Sequence, residues 1–278
     1  MNIIVYIVTD MEGLAGIDRW EQCYDLDDSS ANYKYGREQL TADVNAAVAG
    51  CFDAGAREVR VMDGHGRNRN RGFIQEKLDR RATSVWLSSH DPTRLEGMDE
   101  TVDAVAMIGQ HPMAGTLHGF LDHTQFPKEL CRFLINGQEH GELSQQAVYS
   151  GHFGVPVVFA SGDEALCEEA RRLLPDITTT ATKEGTGWET CRLYTPETVR
   201  ANIRRDIAAA LRKTDRPQVW RMALPIEITI EWAWSAWADR FSRIPGVQRL
   251  NARTVRWKIG DARDIYSWPS IKWQPLLE

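Results

Sequence analysis

Short apolar runs alternate with amphipathic segments along the first two thirds of the chain. The run from Ile3 to Val8 is typical of a buried strand, and apolar residues three or four apart predict a helix from Arg37 to Ala54. Further strands are predicted at 58–62, 83–88, 102–108, 132–136 and 155–160, with helices that begin at Glu142 and at the capping residue Asp163. This alternation predicts an α/β fold with a doubly wound, mainly parallel sheet.

The pattern changes beyond residue 185. A long helix is predicted at 196–213, and strict alternation of apolar and polar residues predicts strands with one exposed face at 224–231 and 254–259. We therefore expect two parts, an α/β domain of residues 1–185 and a smaller α+β portion of residues 186–278 that packs on it. Eight of the ten tryptophans lie in the second part. We interpret them as core and subunit-contact residues in preference to substrate-binding residues.

Composition excludes several classes of protein. The 278 residues are 42% hydrophobic and 26% charged, as in ordinary globular proteins, and the net charge of −6 with dispersed basic residues argues against a nucleic-acid partner. The apolar N-terminal run is too short for a membrane span and lacks a basic flank, so we expect a cytoplasmic protein without membrane contact. Five cysteines without a Cys-x-x-Cys pair argue against a disulfide framework and a thiolate zinc site.

Two carboxylates, Asp10 and Glu12, directly follow the first predicted strand. Side chains two apart on a strand point to the same side, and the carboxyl ends of parallel strands are where open α/β sheets bind ligands. Two close carboxylates repel each other unless a positive charge lies between them, and a divalent cation is the simplest one. The alternative is that both residues only cap a following helix.

Other metal-binding residue types occupy comparable positions. His65 and His111 follow later predicted strands, and Glu142 begins a helix. Oxygen and imidazole donors without thiolates suit a catalytic divalent metal such as zinc. Five donors exceed the need of one tetrahedral zinc ion but suit two ions that share a carboxylate, for which Asp10 is our candidate. We expect Asp63 to orient the His65 ring. The alternative for each histidine taken alone is a hydrogen bond within a loop. We assign that role to four of the other five histidines: His90, His118, His140 and His152.

Four segments together carry a resemblance to a known family. They are TDMEG (9–13), DGH (63–65), HPMAGTLHGFLDHT (111–124) and NGQEHGE (136–142). In this order they resemble the zinc-dependent D-aminopeptidase family, peptidase family M55. The resemblance implies two zinc ions per subunit held by Asp10, Glu12, His65, His111 and Glu142. It further implies that His123 is the catalytic histidine, and that the chain forms a homodecamer of two pentameric rings.

The resulting hypothesis is a metalloaminopeptidase that hydrolyses short peptides, with a preference for D-residues that follows from the resemblance alone. His123 would act as a nucleophile, in proton transfer or in support of the oxyanion, and the residues do not distinguish these roles. One alternative keeps the two metals and changes the substrate to another amide, a lactam or a phosphoester. Another is a ring-forming scaffold without catalytic activity.

Overall fold

The structure is a computed structural model that describes residues 2–24, 30–65, 72–85 and 95–267. Within these ranges the strands are β1 (Ile3–Thr9), β2 (Ala56–Asp63), β3 (Ala82–Val85), β4 (Ala104–Gln110), β5 (Leu130–Ile135), β6 (Gln138–Glu139), β7 (Val157–Asp163), β8 (Thr178–Gly187), β9 (Thr190–Leu193), β10 (Ile226–Trp232), β11 (Gln248–Arg249) and β12 (Thr254–Ile259). The α-helices are α1 (Ala31–Asp53), α2 (Glu142–His152), α3 (Glu164–Leu173), α4 (Pro196–Arg212) and α5 (Ser235–Phe241).

The larger sheet of the described residues has seven strands in the order β3-β2-β1-β4-β7-β8-β9. All neighbours in it are parallel except β8 and β9, which form an antiparallel edge hairpin. The predicted α/β class and mainly parallel sheet are confirmed. Parallel strands need crossover connections, and the helices of these crossovers cover both faces of the sheet.

Strand β1 lies near the middle of this sheet and is buried throughout. Tyr6 and Val8 pack into the core on one face, while Val5 and Ile7 pack into the core on the other face, which α1 and α4 cover. Burial on both faces explains why the sequence of β1 is continuously apolar rather than alternating. The strand order places the end of β1 near the centre of the carboxyl edge of this sheet.

The second sheet has five antiparallel strands in the order β11-β12-β10-β5-β6. Alternate residues of β10 are buried, as the sequence predicts, and Ile228 and Ile230 share one core with Tyr6 of the larger sheet. Strand β5, from the first half of the chain, pairs directly with β10. The division of the chain at residue 185 stays a prediction.

The largest differences between expectation and structure lie at polar segments. The hairpin β8–β9 was not predicted because its sequence, TTTATKEGTG with TCRL, lacks an apolar run. Helix α1 begins at Ala31, six residues before the predicted start, because Ser30 caps it by accepting a hydrogen bond from the Tyr33 backbone at 3.1 Å. Residues 86–88 of the predicted third strand lie outside the described residues.

None of the described helices combines the length and the apolar character that crossing a bilayer requires.

Candidate metal centre

Asp10 and Glu12 lie in a tight loop at the end of β1. The backbone N–H groups of Asp10 and Gly13 donate to the carbonyl oxygens of Ile108 and Gly109, each at 2.8 Å, so that the loop packs on the end of β4. A Cβ atom on Gly13 would lie 1.9 Å from the Gln110 carbonyl oxygen. Only glycine therefore permits this close approach of the two strand ends.

The register of the parallel strands brings the two histidines to the same place. Thr9 is paired with Asp63 of β2 on one side and with Ile108 of β4 on the other. His65 and His111 follow these strands directly, and so flank Asp10. His65 Nδ1 lies 2.7 Å from Asp10 Oδ1 and 3.4 Å from Glu12 Oε2. His111 Nε2 lies 3.5 Å from Asp10 Oδ2.

Glu142, the first residue of α2, completes the group from the other side. Its Oε1 lies 3.4 Å from His111 Nε2 and 4.0 Å from His123 Nε2, and it accepts the Gln125 backbone N–H at 2.7 Å. The His111 and His123 rings stack, with centroids 3.8 Å apart and an interplanar angle of 10°. The structure therefore brings together all six residues that the sequence singles out.

Each of the three histidines has one ring nitrogen within hydrogen-bond distance of a backbone carbonyl oxygen. His65 Nε2 lies 2.8 Å from the Cys23 oxygen, His111 Nδ1 3.0 Å from the Pro112 oxygen, and His123 Nδ1 2.8 Å from the Leu121 oxygen. A carbonyl only accepts hydrogen bonds, so each of these nitrogens carries a proton. Whenever such a ring is neutral, its other nitrogen offers a lone pair to the carboxylate cluster. This is the usual arrangement of histidine ligands.

The electrostatics of the cluster favour positive charge between the carboxylates. Burial and the neighbouring Glu12 raise the pKa of Asp10 to about 7. Burial opposes ionisation of His65 and His111, yet the carboxylates Glu12 and Glu142, respectively, raise the pKa of each ring well above its usual value. Protonated imidazoles thus balance the carboxylates when no cation does so.

His123 behaves in the opposite way. Burial and the charge of His111 lower the pKa of His123 to about 4. Its ring is therefore neutral at pH 7, with the Nε2 lone pair facing Glu142.

The donor set fits a bound metal. Glu12 Oε1 is buried and has no hydrogen-bond partner among the described residues, which is costly for a carboxylate oxygen unless a cation binds it. Ligand atoms of Asp10, Glu12 and His111 lie within 4.8 Å of one another, as do those of His111, His123 and Glu142. His111 belongs to both groups, so the two potential sites are adjacent.

Other expected residues lie elsewhere. The expectation that Asp63 orients the His65 ring is wrong, because Asp63 Oδ2 accepts the Gly72 N–H at 2.6 Å and the Cys23 carbonyl holds the ring. His118 is exposed, while His140 and His152 contact Ser144 and Asp261. His90 lies outside the described residues.

Sequence reasoning missed a support beneath the loop of Asp10 and Glu12. Lys183 on β8 is fully buried and donates from Nζ to the carbonyl oxygens of Glu12 and Ile17 at 2.6 and 2.7 Å. The adjacent Thr182 hydroxyl donates to the Gly13 oxygen at 2.7 Å. The only signal was a lysine within a run of threonines, which resembles an exposed strand.

Known proteins resemble this chain in both sequence and fold. A D-aminopeptidase of Bacillus subtilis (strain 168) is 27% identical over 263 residues, which are 94% of this chain and 93% of that protein. A solved structure, the Zn-dependent D-aminopeptidase DppA from Bacillus subtilis, a self-compartmentalizing protease, is similar with a TM-score of 0.89. It is 25% identical in sequence, and the match covers 99% of this chain and 98% of that one.

A sequence model of a whole family matches nearly the entire chain. This family is described as peptidase M55, D-aminopeptidase, and its model matches residues 3–271. The family and enzyme class expected from the four sequence segments are confirmed. The chain belongs to the peptidase M55 family of D-aminopeptidases.

Proposed function

We propose that this protein removes N-terminal residues, with a preference for D-residues, from short peptides at a centre of two zinc ions. Asp10, Glu12, His65, His111 and Glu142 would hold the ions, with Asp10 between them, and His123 would be the catalytic histidine. The preference for D-residues and the use of zinc rest on the family and on the similar proteins.

One observation carries the proposal more than any other. Six acidic and imidazole side chains from four separate segments converge, and they include a buried Glu12 oxygen without a hydrogen-bond partner among the described residues. Stability alone does not favour such a cluster, because like-charged buried groups cost free energy. Binding of a cation offsets this cost and explains why the cluster exists.

When bound, two zinc ions would supply an activated water at neutral pH and would stabilise charge on the substrate carbonyl oxygen. The protein itself positions the catalytic histidine that we propose, His123. His123 Nδ1–H donates a hydrogen bond to the Leu121 carbonyl oxygen, so the Nε2 lone pair is the reactive position of the ring. There His123 would accept a proton from the attacking water and return it to the leaving amine, and a nucleophilic role would use the same lone pair.

We further propose that the protein is a homo-oligomer, with a decamer of two pentameric rings as the specific expectation. The support is the similar structure, which is described as a self-compartmentalizing protease. A cytoplasmic location stays a prediction.

The test compares two histidines of the same loop. His123→Ala should lower turnover of the zinc-loaded enzyme on D-Ala-D-Ala by about 1000-fold and leave the zinc content unchanged. His118→Asn is the matched control, since asparagine tolerates the positive φ of 59° at this exposed position, and it should keep activity within about 3-fold. A panel of L-dipeptides, lactams and phosphoesters tests the substrate class.

Activity retained in His123→Ala would show that His123 is not catalytic. Loss of one zinc equivalent in this variant would assign His123 as a ligand instead. Turnover of lactams or phosphoesters in preference to peptides would overturn the proposed substrate.

A further inference from the structure

Three aromatic side chains lie beside the candidate metal centre, the half-buried Trp20 and the exposed Tyr24 and Trp188, and we call them the aromatic wall. The Trp20 and Trp188 rings stack with centroids 5.9 Å apart, and Trp20 and Tyr24 are 5.6 Å apart. Trp188 is 45% exposed and Tyr24 is 40% exposed. Large aromatic surfaces that stay in contact with water next to a reactive centre are typical of ligand-binding sites.

The aromatic wall directly contacts His123. The Trp20 and His123 rings meet edge to face, with centroids 5.8 Å apart and an interplanar angle of 76°. His111 covers one face of the His123 ring, so Trp20 lies against the other face or an edge. The wall therefore adjoins the proposed catalytic histidine.

Backbone and side-chain hydrogen bonds fix the wall to the loop of His123. The Leu121 N–H donates to the Trp188 carbonyl oxygen at 2.6 Å, and Trp188 Nε1 donates to the Asp122 carbonyl oxygen at 3.3 Å. Glu189, beside Trp188, accepts the Trp20 N–H at 2.6 Å. Two distant segments, 20–24 and 188–189, are thus held in one arrangement, as a preformed subsite requires.

The chemistry of the wall defines its ligand. Consecutive residues of a peptide lie about 3.8 Å apart, so a peptide cleaved next to His123 places a neighbouring side chain within reach of Trp20 and Trp188. Aromatic faces stabilise aliphatic and aromatic side chains by removing apolar surface from water.

We propose that the aromatic wall is a specificity subsite for an apolar side chain next to the scissile bond of the peptide. The proposal rests on the proposed function, and it assigns Trp188, one of the tryptophans beyond residue 185, to substrate binding. A large apolar residue such as leucine or phenylalanine is then preferred to alanine or glycine at one of the two positions flanking the bond.

The experiment uses the full-length, zinc-loaded enzyme and two series of dipeptides. One series varies the first residue as D-Ala, D-Leu or D-Phe before glycine, and the other varies the second residue after D-Ala. In one series kcat/KM should rise with side-chain size. Trp188→Ala should lower kcat/KM for the phenylalanine peptide at least about 10-fold, and that for the smallest peptide by less than about 3-fold.

Two variants serve as controls. Trp188→Phe keeps an aromatic face but loses the hydrogen bond to Asp122, so it should retain the preference. Trp234→Ala removes another exposed tryptophan, 66% exposed and located between β10 and α5, and should not change the preference.

An equal loss for all peptides in Trp188→Ala would overturn the proposal, since it would show that Trp188 only positions the His123 loop. A changed sedimentation coefficient of this variant with unchanged specificity would also overturn it, and would assign Trp188 to a subunit contact. Calorimetric titration with free D-phenylalanine and D-alanine provides a readout without turnover. If D-phenylalanine binds more tightly than D-alanine and Trp188→Ala abolishes this difference, the subsite is supported even if no peptide is hydrolysed. Hydrolysis without any preference for side-chain size would refute the subsite and leave the proposed function intact.

Discussion

At the scale of single residues, Glu12 gives the clearest indication that the cluster of carboxylates and imidazoles serves to bind a metal rather than to stabilise the fold. Its Oε2 lies 3.4 Å from His65 Nδ1, while its buried Oε1 has no hydrogen-bond partner among the described residues. Although burial opposes ionisation, the His65 charge lowers the pKa of Glu12 well below its usual range. A buried, ionised carboxylate with an oxygen left over is suited to binding a cation.

Glu12→Gln tests this role because it removes the charge and keeps the shape of the side chain. We expect zinc affinity to fall by about 100-fold or more, measured by competition with a chromophoric chelator. Glu21→Gln is the control, since Glu21 is exposed in the nearby 3₁₀ turn Trp20–Gln22. Equal zinc affinity in the two variants would exclude Glu12 as a ligand.

His140 predicts a pH dependence of stability. Burial, together with the charge of Arg172, lowers the pKa of His140 to about 4, whereas the unfolded chain takes up this proton near pH 6.5. The unfolded state therefore binds more protons between these values, and the contribution to stability that is present above pH 6.5 is lost as the pH falls towards 4.

Because glutamine does not titrate, the difference between the wild type and His140→Gln isolates this contribution. From pH 7 to pH 4 the difference in free energy of unfolding should move in favour of the variant by up to about 3 kcal/mol. Urea denaturation of the zinc-free proteins at each pH measures it. A difference that does not change with pH would contradict the burial of a neutral imidazole.

The sequence predicts which side chains converge at the candidate site, but it does not predict their backbone partners. Asp10, His65 and His111 each follow an apolar strand, and the ends of parallel strands meet at one edge. The Cys23 carbonyl that orients His65 has no signal in the sequence, because every residue carries a carbonyl. The pairing of Trp20 with Trp188 depends on the hairpin β8–β9, whose polar sequence does not predict a strand.

At the scale of elements, the junction of β1 and β4 positions the candidate ligands. Gly13 allows the loop after β1 to contact the Gln110 carbonyl oxygen, and Gly109 has a φ of +76° that other residues rarely adopt. Lys183 and Thr182 hold the carbonyl oxygens of the same loop from β8. The candidate metal ligands thus lie on a closely packed junction of three strands.

Gly13→Ala tests the junction. Its new methyl group would lie 1.9 Å from a carbonyl oxygen, so we expect a loss of about 3 kcal/mol or more in the free energy of unfolding, or failure to fold. Gly115→Ala is the matched control, because nothing lies within 4 Å of its Cβ position and only the φ of +84° opposes alanine. It should cost about 1 to 2 kcal/mol, measured by thermal or urea denaturation. Equal losses in the two variants would show that the close approach at Gly13 does not matter.

At the scale of the whole molecule, the two sheets share one core. Tyr6 of β1, Phe133 of β5 and Ile228 of β10 belong to the same apolar cluster, and β5 is hydrogen-bonded to β10. The sequence predicted the elements on both sides of residue 185, but a pairing between strands about 95 residues apart does not follow from local periodicity.

The shared core predicts cooperative unfolding. Calorimetry of the full chain should give one transition. A fragment of residues 1–185 should remain unfolded, because β5 would lose its partner strand and the core would lose the apolar side chains of β10. Far-UV circular dichroism of the fragment tests this. A fragment that folds with a cooperative transition of its own would instead support two independent domains.

The central claim is that the converging carboxylates and imidazoles bind two zinc ions. The most direct measurement is anomalous X-ray scattering at the zinc absorption edge from crystals of the zinc-loaded protein. We predict two peaks per chain within bonding distance of Asp10, Glu12, His65, His111 and Glu142. A single peak, or peaks away from these side chains, would contradict the account.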